Sequence, residues 1–458
     1  MLRLLFSQSP FSSLHLVLID GGSIINFNLD ASGRKSQLGM VIVVVISALI
    51  IIYCIVRFDF TLMQYALLPP ALTALSQGAL ALLRGQTPSV DELEEYPKVA
   101  VVVPAYNEEA VIEETVRVNR AQIDYPNYEL FVIEDGSTDS TKEIVQRLED
   151  EGLCKVHYRP HNPDEKKAEA LNDLAINVLD YSYDYICILD ADGHLDPDYL
   201  NAAMKKFAAD DRLEATQGAV KIRNNDGFYG NNAHVEFRNY ISVLKAQSNH
   251  TILGGNSETV SLDVFRLLSP LCRSTVEDME ISLLIKEMGY HVSAVTDCGV
   301  SQEAVIGFTG YVNQRGRWLS GNLSCFFEEF GNIVKSERMS VWSKISSLNY
   351  LSLNMYVPFV AVTTVGFLVN LVHFILWGDF PIKYHAPLVI GVLDFIGCYP
   401  SLIGRSLWDN KSVILTLKNI GSFTTYSFLQ IPVYVKGALR LLRRDDSWNK
   451  TARLAELE

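Results

Sequence analysis

Two aspartates one residue apart, Asp190 and Asp192, stand at the end of the apolar run 185–190. Such a run predicts a buried strand, and two carboxylates at its end converge on one small volume. Carboxylate oxygens at that spacing suit Mg²⁺ or Mn²⁺ bridging a diphosphate. A lone Asp-x-Asp is usually a solvated loop, so this hypothesis depends on the residues that accompany it.

Polar residues also end two earlier apolar runs. Asn107 and Glu109 follow the run 98–104, and Asp135 follows the run 129–134. Ligands of doubly wound sheets bind beyond the carboxyl ends of the strands, so these side chains are expected at one edge. An Asp-Gly turn alone would explain Asp135, but three such features in order are far less common by chance. The sequence has no GxxxxGK[ST] loop and no GxGxxG after the first run, which disfavours a P-loop nucleotidase and a dinucleotide oxidoreductase.

A further pair of acids, Glu277 and Asp278, lies in the segment STVEDMEISLLIKEMGYHV, residues 274–292. Ser274 or Thr275 can cap a helix there, and the helix dipole favours acids in the first turn. This accounts for both acids without any chemistry, so a functional role for them rests on the other motifs.

The elements that must position these residues alternate between strand and helix. The predicted strands are 98–104, 129–134, 154–158 and 185–190, and the predicted helices are 108–120, the segment after Ser137 or Asp139, and 165–179. The first strand is rich in β-branched residues, as buried parallel strands are. This alternation predicts a doubly wound α/β sheet.

Apolar runs flank the α/β segment and predict membrane spans. Residues 39–56 carry no charge and are long enough to cross a bilayer core, and residues 62–83 form a second, kinked candidate. Arg34, Lys35 and Arg84 flank this hairpin, so the positive-inside rule puts both of its ends in the cytoplasm.

Three further apolar runs follow at about 351–377, 384–407 and 412–435. Three spans would place the C-terminus outside, whereas the basic residues from Lys436 to Arg444 favour the inside. One run is re-entrant or interfacial, or the rule does not hold here, and the topology stays open. Residues 1–38 lack a clean cleavage site and are predicted to be a mobile tail or a short surface helix.

Composition narrows the function classes. Hydrophobic residues make up 48% of the 458 residues, and the net charge of −14 argues against a nucleic-acid binder. The seven cysteines are scattered and form no CxxC pair, so neither a zinc site nor a disulfide framework is expected. Buried or free thiols of a protein that faces the cytosol are the expected state.

Six motifs occur in order and together resemble the processive, membrane-embedded family 2 glycosyltransferases, which include cellulose, chitin, hyaluronan and poly-N-acetylglucosamine synthases. The motifs are PAYNEE (104–109), EDGSTD (134–139), KAEALN (167–172), DAD (190–192), VED (276–278) and QRGRW (314–318). Each is weak alone, and the match covers about residues 98–320. The resemblance implies a GT-A fold, which is an α/β Rossmann-like doubly wound sheet, here flanked by transmembrane α-helices.

The resemblance also implies a nucleotide-diphosphate sugar donor, Mg²⁺ or Mn²⁺, and a set of donor-binding residues. These are Pro104, Ala105, Tyr106, Asn107, Glu109, Asp135, Lys167, Asp190 and Asp192. Asp190 and Asp192 would bind the metal, with Asp192 as the expected direct ligand. The stretch GGNSETV (254–260) stands where relatives place an acceptor-side loop and departs from their pattern.

By the same resemblance, Asp278 would be the general base, and Glu277, Gln314, Arg317 and Trp318 would close over donor and acceptor. Inverting transfer needs a base on one face of the anomeric carbon and a stabilised leaving group on the other. A Trp face suits a sugar ring. The role of Arg315 is ambiguous, and contact with lipid phosphates is the favoured expectation.

The expected activity is transfer from a nucleotide-diphosphate sugar, expected to be a UDP-sugar, to a growing β-linked polysaccharide, with export of the product left open. The alternative is transfer of one sugar to a membrane lipid, either a glycolipid or a polyprenyl phosphate. The QxxRW motif favours the first, and the modest number of spans permits the second. A silent scaffold is disfavoured because Asp135, Asp190, Asp192 and Asp278 are all present.

The implied organisation has five parts. They are an N-terminal tail (1–38), a transmembrane hairpin (39–84), a cytoplasmic GT-A domain (98–334), interfacial and transmembrane helices (335–444) and a C-terminal tail (445–458). The protein is expected to be a multi-pass protein of the plasma membrane. Its expected partners are the donor, a polysaccharide or lipid-linked acceptor, membrane lipids and accessory subunits, and no nucleic acid.

Overall fold

The structure, a computed structural model, describes residues 34–57, 88–160, 166–272, 276–352, 372–379 and 428–443, with strands before residue 31 and a few single residues elsewhere. The early strands are β1 (Arg3–Gln8), β2 (Ser13–Asp20) and β3 (Ser23–Asp30), which pair antiparallel in that order. They stand where a tail or short surface helix was predicted. Apolar and polar residues alternate in β3, and Gly21-Gly22 separates it from β2, which is a hairpin pattern.

The part of the chain that carries the six motifs is built on one mixed sheet of eight strands among the described residues. The strand order is β6-β5-β4-β7-β10-β9-β11-β8. The strands are β4 (Val99–Ala105), β5 (Tyr128–Glu134), β6 (Lys155–Tyr158), β7 (Tyr185–Ile188), β8 (His194–Leu195), β9 (Leu213–Ile222), β10 (Glu258–Ser261) and β11 (His291–Gln302). The half from β6 to β7 is parallel, as the strand–helix alternation predicts. β10 runs antiparallel to β7 and β9, and β8 runs antiparallel to β11, so the sheet as a whole is not purely parallel.

The helices follow the strands in the α/β half and extend beyond it in the C-terminal half. They are α1 (Arg34–Arg57), α2 (Ile112–Gln122), α3 (Thr141–Asp150), α4 (Lys167–Asp173), α5 (Tyr199–Phe207), α6 (Gly227–Gln247), α7 (Leu262–Leu268), α8 (Glu277–Glu287), α9 (Phe308–Lys335), α10 (Val341–Ser352) and α11 (Gln430–Arg443). A π-helical turn, Leu174–Val178, continues α4, and a 3-10 turn, Ser269–Leu271, follows α7. The predicted helix 165–179 is therefore divided into an α and a π part.

Two apolar cores cover the two faces of the sheet. Successive side chains of a strand point to opposite faces, so Ile186 joins one core and Cys187 joins the other. In β5, Phe131 packs in the first core and Val132 in the second. Because both faces are covered, the parallel strands are apolar at nearly every position, and this is why their sequence predicts them.

Glycines allow α9 and α11 to pack closely. A Cβ on Gly316 would lie 2.8 Å from Lys436 Cγ, and one on Gly437 would lie 2.9 Å from the carbonyl oxygen of Gly316. The contact continues into a small core that includes Leu319 and Val433. Gly316, the middle residue of QRGRW, is thus the point at which the C-terminal helix meets the motif.

In the ranges that the structure describes, no helix combines the length and apolarity needed to cross a membrane. The run 39–56 lies in α1. The predicted spans 62–83 and 384–407 lie outside the described residues, and 351–377 and 412–435 lie only partly inside them. The predicted spans and domain boundaries stay predictions.

Candidate active site

The loop after β7 brings Asp190 to the first residue of α4. Lys167 Nζ lies 2.8 Å from Asp190 Oδ1 and donates to the carbonyl oxygen of Gly255 at 2.9 Å. Burial lowers the pKa of Lys167, but the negative charges of Asp190, Glu277 and Glu258 outweigh burial and raise it above its usual range. Lys167 is therefore a fixed cation at the edge where the parallel strands end.

The two aspartates of the DAD motif have different surroundings. The side chain of Asp190 is 42% exposed, and its backbone N–H donates to Asn256 Oδ1 at 3.1 Å. Asp192 is only 3% exposed, and its Oδ2 accepts from the backbone N–H of Glu303 at 3.0 Å. Arg223 also donates to the Asp192 carbonyl oxygen at 2.7 Å. Asp190 therefore faces solvent beside a cation, whereas Asp192 is buried and is held by hydrogen bonds from neighbouring residues.

The donor chemistry of this pair fits a divalent cation that a substrate helps to hold. Among the described residues, no group of three or more His, Cys, Asp or Glu side chains could hold a metal by itself. Mg²⁺ is commonly bound by one or two carboxylates, with water and substrate phosphates completing its shell. Asp190 supplies a hard carboxylate beside Lys167, and Asp192 supplies a second one two residues on, so the pair suits Mg²⁺ or Mn²⁺ held jointly with a diphosphate.

Asp278 lies in the first turn of α8, under the loop that holds Gly255. Val276 occupies the N-cap position without a side-chain cap, and the predicted caps Ser274 and Thr275 lie outside the described residues. Gly255 has φ +80°, and a Cβ there would lie 3.2 Å from Asp278 Oδ2. Glycine is thus suited to this position both by backbone conformation and by the approach of the carboxylate.

Burial gives the Asp278 carboxyl an unusual proton affinity. The residue is 8% exposed. Burial first, and then the charge of Glu277, raise its pKa from 3.8 to about 7, although Lys167 opposes the shift. A carboxylate with a pKa near neutrality can accept a proton from a substrate and still be partly ionised in the cell. Helix capping explains why an acid stands in this turn, but it does not explain why the Asp278 carboxyl is buried and has a raised pKa.

A second buried carboxyl, Glu258, belongs to the same cluster and was not found from the sequence. Glu258 is 1% exposed at the start of β10, and its Oε2 accepts from the backbone N–H of Gly255 at 3.3 Å. Burial and the charge of Asp278 raise its pKa well above the usual value. The sequence feature that could have pointed to Glu258 is the unusual stretch GGNSETV, in which this glutamate precedes two β-branched residues.

Asp135, at the end of β5, forms an ion pair with Arg159, which in turn donates from Nε to Asp173 at 3.1 Å. Asp173 also lies 2.7 Å from His157. Arg159 comes just after β6, where no motif surrounds it, so nothing in the sequence singled it out. The structure therefore brings Asp135 to the predicted edge, together with a cation that the sequence analysis missed.

Asn107 and Glu109 join the loop after β4 to the loop after β5. Asn107 has φ 56°, and its Oδ1 accepts from the backbone N–H of Thr138 at 2.7 Å. Glu109 Oε2 accepts from the backbone N–H of Ser140 at 2.9 Å. These contacts hold the two loops in a fixed arrangement, and they use the side chains of two residues that were predicted to bind the donor.

The other predicted donor residues of the PAYNEE motif surround the end of β4. Pro104 and Ala105 are the last residues of the strand and lie beside Ile133 and Glu134 in β5. The carbonyl oxygen of Ala105 accepts from the backbone N–H of Asp135 at 3.0 Å. Tyr106 follows directly and is half-buried. The motif therefore fixes the relative position of the two strand ends.

The QRGRW motif forms one turn of α9 and presents its residues to different neighbours. Arg317 faces the acids: burial lowers its pKa, and the charges of Glu277 and Asp190 oppose that shift. Gln314 and Trp318 line a separate cleft, to which Glu303 and Tyr229 also contribute. Glu303 is the residue whose backbone N–H holds Asp192, so the cleft adjoins the DAD loop.

The expectation that Arg315 faces lipid phosphates is wrong. Its side chain is 11% exposed, and its Nη2 lies 2.9 Å from Glu236 Oε2 on α6. Residues three apart on a helix share a face, and Arg315 therefore lies beside Trp318 rather than beside Arg317. A partly buried carboxylate distant in sequence, that of Glu236, neutralises the cation, and a local pattern cannot reveal such a partner.

Two family models match the part of the chain that forms this site. Glycosyl transferase family 2 matches residues 100–262, and Glycosyl transferase family group 2 matches residues 185–393. The chain therefore carries a family 2 glycosyltransferase domain. The six motifs in order correctly indicated this family.

Curated relatives of the glycosyltransferase domain include two synthases. The poly-β-1,6-N-acetyl-D-glucosamine synthase of Staphylococcus aureus (strain COL) is 28% identical over 266 residues, which are 56% of this chain and 61% of that protein. The Staphylococcus epidermidis enzyme of the same name is 24% identical over 335 residues, 69% of this chain and 77% of that protein. The match to the first thus spans less than two thirds of its length.

A solved structure shows the same fold. The mannosyltransferase PcManGT from Pyrobaculum calidifontis, in complex with GDP-Man and Mn²⁺, superposes with a TM-score of 0.57 at 21% identity, over 84% of this chain and 99% of that one. At this identity the likeness bears on the fold alone. It supports the GT-A prediction, with the correction that the sheet is mixed.

Proposed function

We propose that this chain is an inverting glycosyltransferase that moves a sugar from a nucleotide-diphosphate sugar, a UDP-sugar in the first instance, to a growing β-linked polysaccharide. The similarity to poly-β-1,6-N-acetyl-D-glucosamine synthases supports the type of product. The observation that carries the proposal is the buried carboxyl of Asp278, with a pKa of about 7, beside the Gly255 loop to which Lys167 is bonded.

The proposed reaction uses the two kinds of charge in this site. The acceptor hydroxyl gives its proton to Asp278 as its oxygen attacks the anomeric carbon of the donor. The bond from that carbon to the diphosphate oxygen breaks, and the electron pair leaves with the diphosphate. Lys167 and Arg317 then stabilise the negative charge that develops on the leaving group.

Asp190 and Asp192 are the residues that would hold a Mg²⁺ or Mn²⁺ ion together with the donor diphosphate. When bound, the ion neutralises phosphate charge and so improves the leaving group. Lys167, whose Nζ lies 2.8 Å from Asp190, supplies a further positive charge beside the same carboxylate.

We also infer attachment to a membrane, with the glycosyltransferase domain on the cytoplasmic side. One side of α1 packs on α9, since Met40 is fully buried there. The remaining surface of α1 exposes apolar side chains, among them Leu38, Val41, Ile42, Val45, Ile46, Leu49 and Ile52. Exposed apolar surface of this extent marks contact with a lipid phase or with other protein.

Transfer of a single sugar to a membrane lipid is the second candidate. The exposed apolar surface of α1 supports it, because α1 packs on α9, the helix that carries Trp318. A lipid-linked acceptor held beside α1 would present its head group near the same cleft. Both candidates use the same donor site and the same base.

The deciding experiment identifies the product. The chain is purified in lipid and incubated with Mg²⁺ or Mn²⁺ and radiolabelled UDP- and GDP-sugars, and label is separated into polymer, lipid-linked sugar and free sugar. Label in high-mass polymer that disappears in Asp278→Asn supports the synthase. Label that stops at one sugar per lipid favours the second candidate, and no transfer from any donor contradicts both.

A further inference from the structure

Arg315 is stacked among aromatic rings at the wall of the cleft. Its guanidinium carbon lies 4.2 Å from the centre of the Trp318 ring, 5.5 Å from that of Phe237 and 5.8 Å from that of Tyr311. A planar guanidinium stacks on an indole face in a way that an ammonium cannot reproduce. The shortest of these distances is to Trp318, so the cation constrains the plane of that ring most directly.

The guanidinium is itself held by a carboxylate that two parts of the chain share. Glu236 Oε2, on α6, accepts from Arg315 Nη2 and from the Tyr426 hydroxyl, each at 2.9 Å. Burial lowers the pKa of Arg315, but the charge of Glu236 outweighs burial and raises it. Arg315 therefore stays charged, and three segments distant in sequence fix its position.

The stack itself forms part of the cleft wall, since Arg315, Phe237 and Tyr311 line the cleft. Trp318, Gln314 and Glu303 line it together, and Glu303 is bonded through its backbone to Asp192. An indole has two faces, and a cation on one leaves the other for a sugar ring with polar groups at its rim. The orientation of Trp318 thus decides how much of the ring is open to the cleft.

We propose that Arg315 is a positioning residue that holds the Trp318 ring in place for an acceptor sugar, and that Glu236 and Tyr426 hold Arg315. The role of Trp318 towards an acceptor rests on the proposed function. The mechanical part, that Arg315 sets the orientation of Trp318, does not. The two parts are tested separately.

A fluorescence cycle tests the positioning without any substrate. Tryptophan emission is recorded for the parent, Arg315→Met, Trp318→Phe and the double variant, all in the same lipid. Arg315→Met is expected to shift the emission in the parent and to leave it unchanged in the Trp318→Phe background, because Trp318 is, in the described part of the chain, the tryptophan that contacts the cation. An equal shift in both backgrounds, or a shift in neither, overturns the proposal.

Arg315→Met leaves the partly buried carboxylate of Glu236 without its cation, which can impair folding. The double variant Glu236→Gln/Arg315→Met removes both charges and keeps the cycle measurable. Lys335→Met is the matched control, since Lys335 is an exposed cation at the far end of the same helix. It is expected to leave the emission and the activity as they are in the parent.

Activity tests the role towards the acceptor, with radiolabelled UDP-N-acetylglucosamine as the probe. The ratio of incorporated to hydrolysed sugar is expected to fall about fivefold in Arg315→Met, less in Arg315→Lys, and no further when Arg315→Met is added to Trp318→Ala. A full additional loss in the Trp318→Ala background overturns the proposal. If the parent neither transfers nor hydrolyses this donor, the proposed function fails for it, and the fluorescence cycle alone decides the positioning.

Discussion

Two clusters of side chains lie on opposite sides of the QRGRW turn, and they differ in the balance of their positive and negative charges. The acid cluster contains the carboxyls of Asp190, Glu258, Glu277 and Asp278 and the cations Lys167 and Arg317, and burial together with excess acid raises the pKa of Asp278 to about 7. In the aromatic cluster, Arg315 meets Glu236 among Phe237, Tyr311, Trp318 and Tyr426, and the pair balances. Unbalanced buried charge supplies proton affinity for chemistry, whereas a balanced pair fixes geometry.

The largest effect is expected at Asp278, the proposed base, so its substitution is the strongest test of this comparison. Asp278→Asn is expected to lower transfer by about a thousandfold, within the range of positioned general bases, while nucleotide binding persists. In the parent, the rate is expected to rise with pH up to about 7 and then level, because the ionised carboxylate is the active form. Steady-state rates across pH and nucleotide titration measure both. Unchanged turnover in the variant would remove Asp278 as the base.

The pH dependence of folding stability gives an independent test of the raised pKa of Asp278. Its folded pKa is raised from 3.8 to about 7, so its contribution to stability is present below pH 4 and is lost as pH rises to about 7. The size of that loss is roughly 4 kcal/mol. Asp278→Asn does not titrate, so it is expected to gain stability relative to the parent between these pH values. A difference in Tm that is independent of pH would contradict the raised pKa.

Lys167 is expected to have the next largest effect, because it is the cation nearest to the acids. Lys167→Met should lower transfer by about a hundredfold, as loss of a preorganised charge partner for a leaving group does. It should also move the rise of the pH profile to higher pH, since Lys167 lowers the pKa of Asp278. The pH–rate profile checks this. A lower rate with an unchanged pH–rate profile would show that Lys167 does not influence the pKa of Asp278.

A smaller effect is expected at the inner aspartate of the DAD motif. Asp192→Ala should weaken metal-dependent nucleotide binding by about thirtyfold, within the range for loss of a charge-assisted contact. Nucleotide affinity is measured by titration with Mn²⁺ and again with a chelator present. An affinity that depends on Mn²⁺ in the variant as it does in the parent would exclude Asp192 as a ligand.

The acid cluster and the parallel half of the sheet could be predicted further than the rest. β4, β5, β6 and β7 begin and end within two residues of their predicted bounds. For β4, β5 and β7 the reason is burial on both faces, which makes most positions apolar, whereas β6 is a half-exposed edge strand. Asp190 and Asp192 follow the end of β7 as predicted, because a local motif carries them, and Lys167, which came from the resemblance, lies beside Asp190. No prediction covered β9, β10 or α6, where no strand–helix alternation guides the assignment.

The contacts that local patterns missed join residues distant in sequence. Glu236 and Arg315 are 79 positions apart, and Glu236 has no motif around it. Because Arg315 sits in a basic motif next to an apolar region, its own surroundings favoured a lipid phosphate as the partner. Glu258 likewise becomes unusual only when the fold buries it beside Asp278. Such pairing depends on tertiary structure, and one sequence does not contain that information locally.

The aromatic cluster is expected to affect the fate of the sugar more than donor chemistry. Trp318→Ala should lower the ratio of incorporated to hydrolysed sugar by about tenfold, because stacking on an aromatic ring is worth about 1 kcal/mol or slightly more. Donor hydrolysis should change much less, since Lys167 and Asp278 are untouched. Product separation with a radiolabelled donor measures both. An equal loss of transfer and hydrolysis would place Trp318 with the acid cluster instead.

The smallest effect is expected at the edge of the aromatic cluster. Tyr426→Phe keeps the ring but removes the hydroxyl that donates to Glu236 at 2.9 Å, so Glu236 retains Arg315 as a partner. Loss of one such hydrogen bond costs about 1 kcal/mol, and the ratio of incorporated to hydrolysed sugar should fall no more than about threefold. Thermal unfolding and product separation are measured together. Because the ion pair remains, a loss as large as that of Trp318→Ala would show that Tyr426 holds the cluster more strongly than Glu236 does.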